Sequence, residues 1–195
     1  ECLDGIGDKY HVSGLVWREA HGRLQEPADL LPREIFSPCA AAALYRRSAL
    51  DAAGQFDEDH FCYLEDVDLG FRLRLAGFRA LYVPDAVVHH VGSATSGGQH
   101  SDFALYHGHR NLVWTYVKNM PGALFWLCLP LHILLNLVVV LVFAARGRGG
   151  VLLRAKRDAL IGLPRMWAKR RTIQRNRRAP VASLWRVMDK GFARD

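Results

Sequence analysis

The chain has 195 residues, half of them apolar, and a net charge of +7, which is enough for one domain with a core plus an appendage. The charge is uneven, because residues 1–145 hold 11 Lys and Arg against 16 Asp and Glu, whereas residues 146–195 hold 15 against 3. This distribution argues against a uniformly basic nucleic-acid binder and indicates an acidic globular part with a basic tail that meets an anionic surface.

The first third of the chain predicts short strands and turns. Residues 10–12 and 15–17 predict two strands around a turn at Gly14. Residues 40–44 predict a further short strand, and residues 48–53 a helical turn that a glycine ends.

Residues 64–78 predict the clearest helix of the chain. Their apolar side chains recur at a spacing of three and four residues, which is typical of an amphipathic helix. The first turn carries Glu65, Asp66 and Asp68, where the helix dipole favours anions. On this pattern alone the acids either only cap the helix or supply a general base.

Two strand segments, at residues 81–83 and 86–88, lead to His89 and His90. A histidine at the end of a strand either binds a metal or phosphate or simply lies on the surface. Residues 92–101 then predict a flexible polar loop.

A second long helix is predicted from about Phe103 to Asn119, and Pro121 ends it. It carries Arg110 and Asn111. Arg110 is either a phosphate ligand or an ordinary charge on the helix face.

Residues 122–145 contain no charged residue and are long enough to cross a hydrocarbon core of ~30 Å. His132 and Asn136 interrupt the apolar run, and Pro130 predicts a kink. Basic residues follow at once, so we expect the run to enter a membrane and the tail to contact anionic lipids.

These segments, taken in order, resemble the family 2 glycosyltransferases. The pattern that carries the resemblance runs through residues 56–77 and continues in residues 83–90. Its parts in this chain are Phe56-Asp57-Glu58, Phe61, Tyr63, Glu65-Asp66-Val67-Asp68, Arg72, Arg74, Ala76-Gly77, Val83-Pro84-Asp85-Ala86 and His90, with Arg46-Arg47 before them and Ser93–Ser96 and Arg110-Asn111 after them.

The resemblance implies an α/β fold: a partial GT-A, Rossmann-like domain, followed by a membrane-associated helix and a basic helical tail. It implies direct displacement at the sugar C1, with inversion. Asp66 matches the catalytic base and Glu65 its neighbour near the acceptor, while His90 matches the histidine that completes a Mg²⁺ or Mn²⁺ site. The loop Gly92–Gly98 matches a lid over the donor.

Substrate-binding positions follow from the same resemblance at Cys39, Ala40, Arg110 and Asn111. Relatives usually carry Gly-Ala where this chain has Cys39-Ala40, which places a Cβ near the expected acceptor site. The donor-binding strand and its DxD metal motif are expected before Glu1, so we expect this chain to be a C-terminal half that is inactive alone.

The predicted organisation has three parts: residues 1–120 as the glycosyltransferase half, 121–146 as a transmembrane or re-entrant helix, and 147–195 as a basic amphipathic cytoplasmic tail. The expected partners are a nucleotide-sugar donor, a lipid-linked or polysaccharide acceptor and anionic lipids, at the cytoplasmic face of the inner membrane. The four cysteines form no CxxC pair, which argues against zinc and fits reduced cytoplasmic thiols.

Two other classes compete with an enzyme. In a non-catalytic membrane-bound adaptor, Glu65 and Asp66 would only cap their helix. A nucleic-acid binder would use the basic stretch 165–178, but the neighbouring apolar run favours lipid, so no nucleic-acid partner is expected.

Overall fold

The computed structural model describes residues 2–90 and 101–191 and shows a mixed α/β fold. The amino-terminal part contains, in chain order, β1 (Asp8–Tyr10), β2 (Val16–Arg18), β3 (Arg33–Ile35), α1 (Arg47–Ala53), α2 (Glu65–Leu75) and β4 (Ala80–Tyr82). The remainder is helical and contains α3 (Asp102–Asn119), α4 (Gly122–Ala145), α5 (Gly149–Ile161), α6 (Leu163–Arg175) and α7 (Val181–Val187).

Two antiparallel strand pairs make up the β structure of the described residues. β1 pairs with β2 in a hairpin that turns at Gly14, with Asp8 opposite Arg18, so the predicted hairpin is confirmed. β3 pairs with β4, with Arg33 opposite Tyr82. This second pair brings the segment after α2 back beside the segment before it.

Two of the predicted strands are wrong. Ala40–Ala42 forms a short 3₁₀ turn, because a run of alanines lacks the branched side chains that stabilise a strand and Leu44 beyond it is fully exposed. Residues 86–88 form no strand, and their valines lie exposed.

The three long predicted helices are confirmed as α2, α3 and α4. α2 is the most enclosed, since Val67, Leu69, Phe71 and Leu75 are all at most 1 % exposed. Phe71 packs edge-on against Tyr10 of β1 at 4.9 Å between ring centroids. The hairpin and α2 therefore share one core.

The basic stretch after α4 folds onto the domain. α5 and α6 pack along α3, where Trp114 donates a hydrogen bond to the Ala159 carbonyl at 2.9 Å. Arg170 of α6 is only 9 % exposed and donates to the carbonyl oxygens of Val117 and Met120. These helices are thus part of the packed structure, while the boundaries of a separate tail stay a prediction.

A network of buried charges joins α3 to α2 and to the segment before α2. Lys118 of α3 is 1 % exposed and bridges Asp57 and Asp68. Arg72 also pairs with Asp68 at 2.9 Å. Burial disfavours the ionised form of Asp68. The nearby positive charges, of which Lys118 contributes most, outweigh this effect and hold the pKa of Asp68 below its usual range.

Replacing Lys118 by Met is expected to destabilise the fold by up to about 3–5 kcal/mol, because the fully buried Asp68 loses one of its two strong cationic partners and Asp57 keeps Lys169. Unfolding of the protein in urea measures this loss of unfolding free energy. Arg47→Met is the matched control, because it breaks only an exposed ion pair with Asp51 and is expected to leave stability nearly unchanged. Equal losses in the two variants would contradict the role of Lys118.

Candidate functional site

Asp66 lies in the first turn of α2 with its carboxylate partly exposed. One oxygen accepts a hydrogen bond from the Val67 backbone N–H at 2.8 Å, and the other from the Ala40 backbone N–H at 3.1 Å. A carboxylate can accept about four hydrogen bonds, so these two leave acceptor positions open to a ligand.

The segment that contains Cys39 and Ala40 is packed tightly against α2. Ser37 donates a hydrogen bond to the Asp66 carbonyl at 3.0 Å. A Cβ added at Gly70, one turn further along α2, would lie 2.2 Å from the Ser37 hydroxyl oxygen. Only glycine permits this approach, which places the Ala40 amide at the Asp66 carboxylate.

Arg18, at the end of β2, joins several groups beside Asp66. Its guanidinium donates to Asp4 at 2.8 Å and to the Cys39 sulfur at 2.8 Å, and its Nε lies 3.7 Å from Asp8. Burial raises the pKa of the Cys39 thiol, although the Arg18 charge opposes this. Cys39 is therefore a neutral thiol at neutral pH, close to the carboxylates.

Asp8, in β1, is 6 % exposed. Burial and the nearby negative charge of Asp66 raise the pKa of Asp8 to about 7, against the opposing charge of Arg18. Two carboxyl groups close together cannot both ionise readily. Asp8 therefore gains and loses a proton near neutral pH.

Glu65 lies beside Asp66 at the start of α2. Burial, followed by the charge of Asp66, raises the pKa of Glu65. Its Oε2 is buried and has no hydrogen-bond partner among the described residues. An unpaired buried oxygen of this kind is an acceptor position left for a ligand.

His90 lies exposed at the end of the segment that follows β4. Its Nδ1 is 3.0 Å from Asp4 Oδ2. Burial opposes ionisation of Asp4, but the hydrogen bond to His90 and the charge of Arg18 outweigh it and lower the pKa of Asp4. Asp4 thus connects His90 to Arg18, and Arg18 connects both to Cys39 and Asp8.

His90 offers one ligand nitrogen to a divalent cation. A histidine that gives one ring nitrogen to a carboxylate presents the other to a metal in a defined orientation. His90 Nε2 is the nitrogen left by the Asp4 contact, and no group of three possible ligands that includes His90 occurs among the described residues.

A second group of possible ligands, Asp57, His60 and Asp68, is a poorer fit. Their ligand atoms lie within 4.8 Å of one another, but Lys118 already bridges the two carboxylates. Burial lowers the pKa of His60 to about 4. This cluster is therefore neutralised by an internal cation.

Arg110 and Asn111 contact the backbone that leads into α2. Arg110 donates to the His60 carbonyl at 3.0 Å, and the Asn111 amide donates to the carbonyls of His60, Cys62 and Tyr63 at 2.7–2.9 Å. These bonds hold a segment in which Phe61, Tyr63 and Leu64 adopt positive φ. The contacts support the loop, and substrate binding by this pair stays a prediction.

The pattern of the sequence did not indicate Asp4, Asp8 or Arg18. They lie in a segment without helical periodicity, and their only signal is the hairpin that sets Asp8 opposite Arg18. The predicted lid, Gly92–Gly98, lies outside the described residues.

Comparison with known proteins agrees with this geometry. Residues 22–115 match the family described as "Glycosyltransferase like family 2". A 65-residue segment is 49% identical to the N-acetylglucosaminyl-diphospho-decaprenol L-rhamnosyltransferase of Mycobacterium tuberculosis, in strains CDC 1551 / Oshkosh and ATCC 25618 / H37Rv. No solved structure matches the chain.

The matched segment covers 33% of this chain and 21% of the relative, so the chain matches about a fifth of the length of that protein. These matches confirm the predicted resemblance to family 2 glycosyltransferases of the GT-A type, and the family match covers residues 22–115.

The raised pKa of Asp8 predicts how the free energy of unfolding depends on pH. Its pKa of about 7 in the folded protein exceeds the value of ~4 in an unfolded chain. Ionised Asp8 therefore opposes folding, and Asp8→Asn is expected to stabilise the protein at pH 8 by on the order of 2–4 kcal/mol.

This gain is expected to shrink as the pH falls from 7 to 4 and to vanish below 4, where Asp8 is neutral in both states. Urea unfolding across that range measures it. Asp4→Asn is the control with the opposite sign, because the pKa of Asp4 is lowered and its ionised form favours folding above pH ~4. A pH-independent effect of Asp8→Asn would contradict this assignment.

Proposed function

We propose that this chain forms the acceptor-side half of an inverting glycosyltransferase active site. The observation that carries the proposal is the Asp66 carboxylate, held by the backbone amides of Ala40 and Val67 within a family 2 segment and partly open to solvent. The domain boundaries 1–120, 121–146 and 147–195 belong to the same proposal.

Asp66 acts as the general base. It takes the proton of an acceptor hydroxyl as that oxygen bonds to the sugar C1, and the bond from C1 to the diphosphate breaks on the opposite face. Its two amide hydrogen bonds orient the carboxylate before the acceptor arrives. Glu65 lies next to it with a free buried oxygen and positions the acceptor together with Cys39 and Ala40.

His90, oriented by Asp4, would hold a divalent metal through Nε2. When bound, Mg²⁺ or Mn²⁺ neutralises the negative charge of a diphosphate leaving group. Arg18 keeps Asp4 in place from the other side. Arg110 and Asn111, proposed from the family resemblance as substrate-binding residues, act through the loop that leads into α2.

The relative's name describes rhamnose transfer to N-acetylglucosaminyl-diphospho-decaprenol. By that likeness we propose a nucleotide-sugar donor and a lipid-linked or polysaccharide acceptor of the cell surface. Such an acceptor places the protein at the cytoplasmic face of the inner membrane. In keeping with this, α4 is a helix long and apolar enough to cross a membrane.

Asp66→Asn is expected to reduce glycosyl transfer by ~10²-fold or more, because the amide cannot accept the proton. The assay uses the natural protein that contains this chain in full, with a panel of nucleotide sugars. Asp51→Asn is the matched control, since Asp51 is exposed and pairs only with Arg47. Full activity of folded Asp66→Asn would favour the adaptor instead.

Asp4→Asn is expected to weaken Mn²⁺ binding by ~10–100-fold, because Asp4 orients His90 through a single hydrogen bond. His90→Ala is expected to weaken it at least as much. Electron paramagnetic resonance of free Mn²⁺ measures both constants without any substrate. Unchanged affinity in both variants, with Asp51→Asn as control, would contradict a metal site at His90 while leaving the role of Asp66 open.

A further inference from the structure

One entire face of α4 is exposed and apolar. Every exposed position along the helix carries an apolar residue or glycine, and these positions recur at the spacing of one helical face. The large side chains on this face are Trp126, Leu127, Ile133, Leu134, Leu137, Val138, Leu141 and Val142.

The opposite face of α4 carries its two polar residues, and the domain buries this face in the first half of the helix, at Leu124, Phe125, Cys128 and His132. His132 lies 2.7 Å from the Ser13 carbonyl oxygen and stacks on Tyr116 at 3.9 Å between ring centroids. A Cβ added at Gly14 would lie 2.7 Å from the His132 ring. The β1–β2 hairpin is therefore fitted closely to this helix.

A charged helix runs beside α4. Lys156 of α5 donates a hydrogen bond to Asn136, close to the midpoint of α4. α5 also carries Arg154, Arg157 and Asp158. If α4 crossed the bilayer in this packing, Lys156 would lie near the centre of the hydrocarbon, where a charged residue costs several kcal/mol.

An orientation parallel to the membrane surface removes this conflict. The covered face then stays with the protein, and only the apolar face enters lipid. Arg146 follows the helix at one end and is exposed, and the exposed Arg157 on α5 is paired only with its neighbour Asp158 among the contacts of the described residues. Arg148, beside Arg146, pairs with Asp102. Arginines in these places suit the phosphates of anionic headgroups, and Trp126 suits the interfacial region.

We propose that α4 is an interfacial helix that lies in the plane of an anionic membrane, with its apolar face immersed in one leaflet. This orientation is an alternative to the transmembrane or re-entrant helix predicted for residues 121–146. The inference rests on the membrane association proposed above and is independent of glycosyl transfer. It places the domain against the leaflet that would contain a lipid-linked acceptor.

Vesicle flotation tests the surface. The chain is expected to float with vesicles of 70% phosphatidylcholine and 30% phosphatidylglycerol. The variant Leu134→Glu/Leu141→Glu is expected to reduce binding by at least tenfold, because it places two charges on the immersed face.

The control is Leu31→Glu/Leu44→Glu, which changes two leucines that are also more than half exposed but lie outside α4. It is expected to bind as the unaltered chain does, and circular dichroism checks that both variants are folded. Equal loss in the two double variants would contradict a specific role for α4, and no flotation of the unaltered chain would contradict membrane association itself.

Depth measurements test the orientation. Nitroxide labels are placed singly at positions 127, 134 and 141 in a variant without the four native cysteines. These positions span about 21 Å of helix. A helix in the membrane plane gives three similar depths, within about 5 Å in power-saturation measurements.

A crossing helix would instead place the label at 134 about 10 Å deeper than the outer two, and that profile would overturn the proposal. Spin–spin broadening in solution, without vesicles, would show that a second copy covers the face and would also overturn it. Neither result tests the role of Asp66, which the glycosyl-transfer assay measures separately.

Discussion

The structure depends on one buried cation, the ammonium of Lys118. It bridges Asp57, which precedes α2, and Asp68, which lies within it, and Lys169 of α6 adds a second cation at Asp57. Asp68 is two residues from Asp66. The contacts that fix the start of α2 therefore also fix the carboxylate at the candidate site. Because these charges are buried, a shift of α2 against α3 would leave a buried carboxylate without its cation, which is strongly destabilising.

The candidate site separates acids into different environments within a few residues. Asp66 is held by backbone amides, Asp8 and Glu65 are destabilised as anions by burial, and Asp4 is stabilised as an anion by His90 and Arg18. Carboxyl groups with pKa values driven apart in this way can take different roles, one accepting a proton and another orienting a partner. Arg18 contacts two of these carboxyl groups, Asp4 and Asp8, so it sets the local balance of charge.

The basic residues of the carboxyl-terminal stretch divide between two uses. Lys156, Lys169 and Arg170 bind groups of the domain itself, whereas Arg154 and Arg157 remain at the surface. The net charge of this stretch therefore overstates the positive charge that is available to an anionic membrane. The lipid contact depends more on the apolar face of α4, with the exposed arginines setting its preference for anionic headgroups.

The sequence by itself determined the local features of this protein. The spacing of apolar residues placed α2, α3 and α4, the hairpin followed from Gly14, and the motif around Glu65-Asp66 identified the family. These features are encoded within a few neighbouring residues, where periodicity and turn chemistry are readable. The strand predicted at the alanine run was wrong, because strand formation depends on a partner strand.

Only the tertiary structure decided which distant groups meet. The contacts of Asp4 with His90 and of Ala40 with Asp66 join residues 86 and 26 positions apart, and no local pattern encodes them. The same holds for α4: its composition specified an apolar helix, but which face is covered depends on the hairpin and α5 packing against it. Long-range packing sets these relations, because it is the sum of many weak contacts between segments that are far apart in the chain.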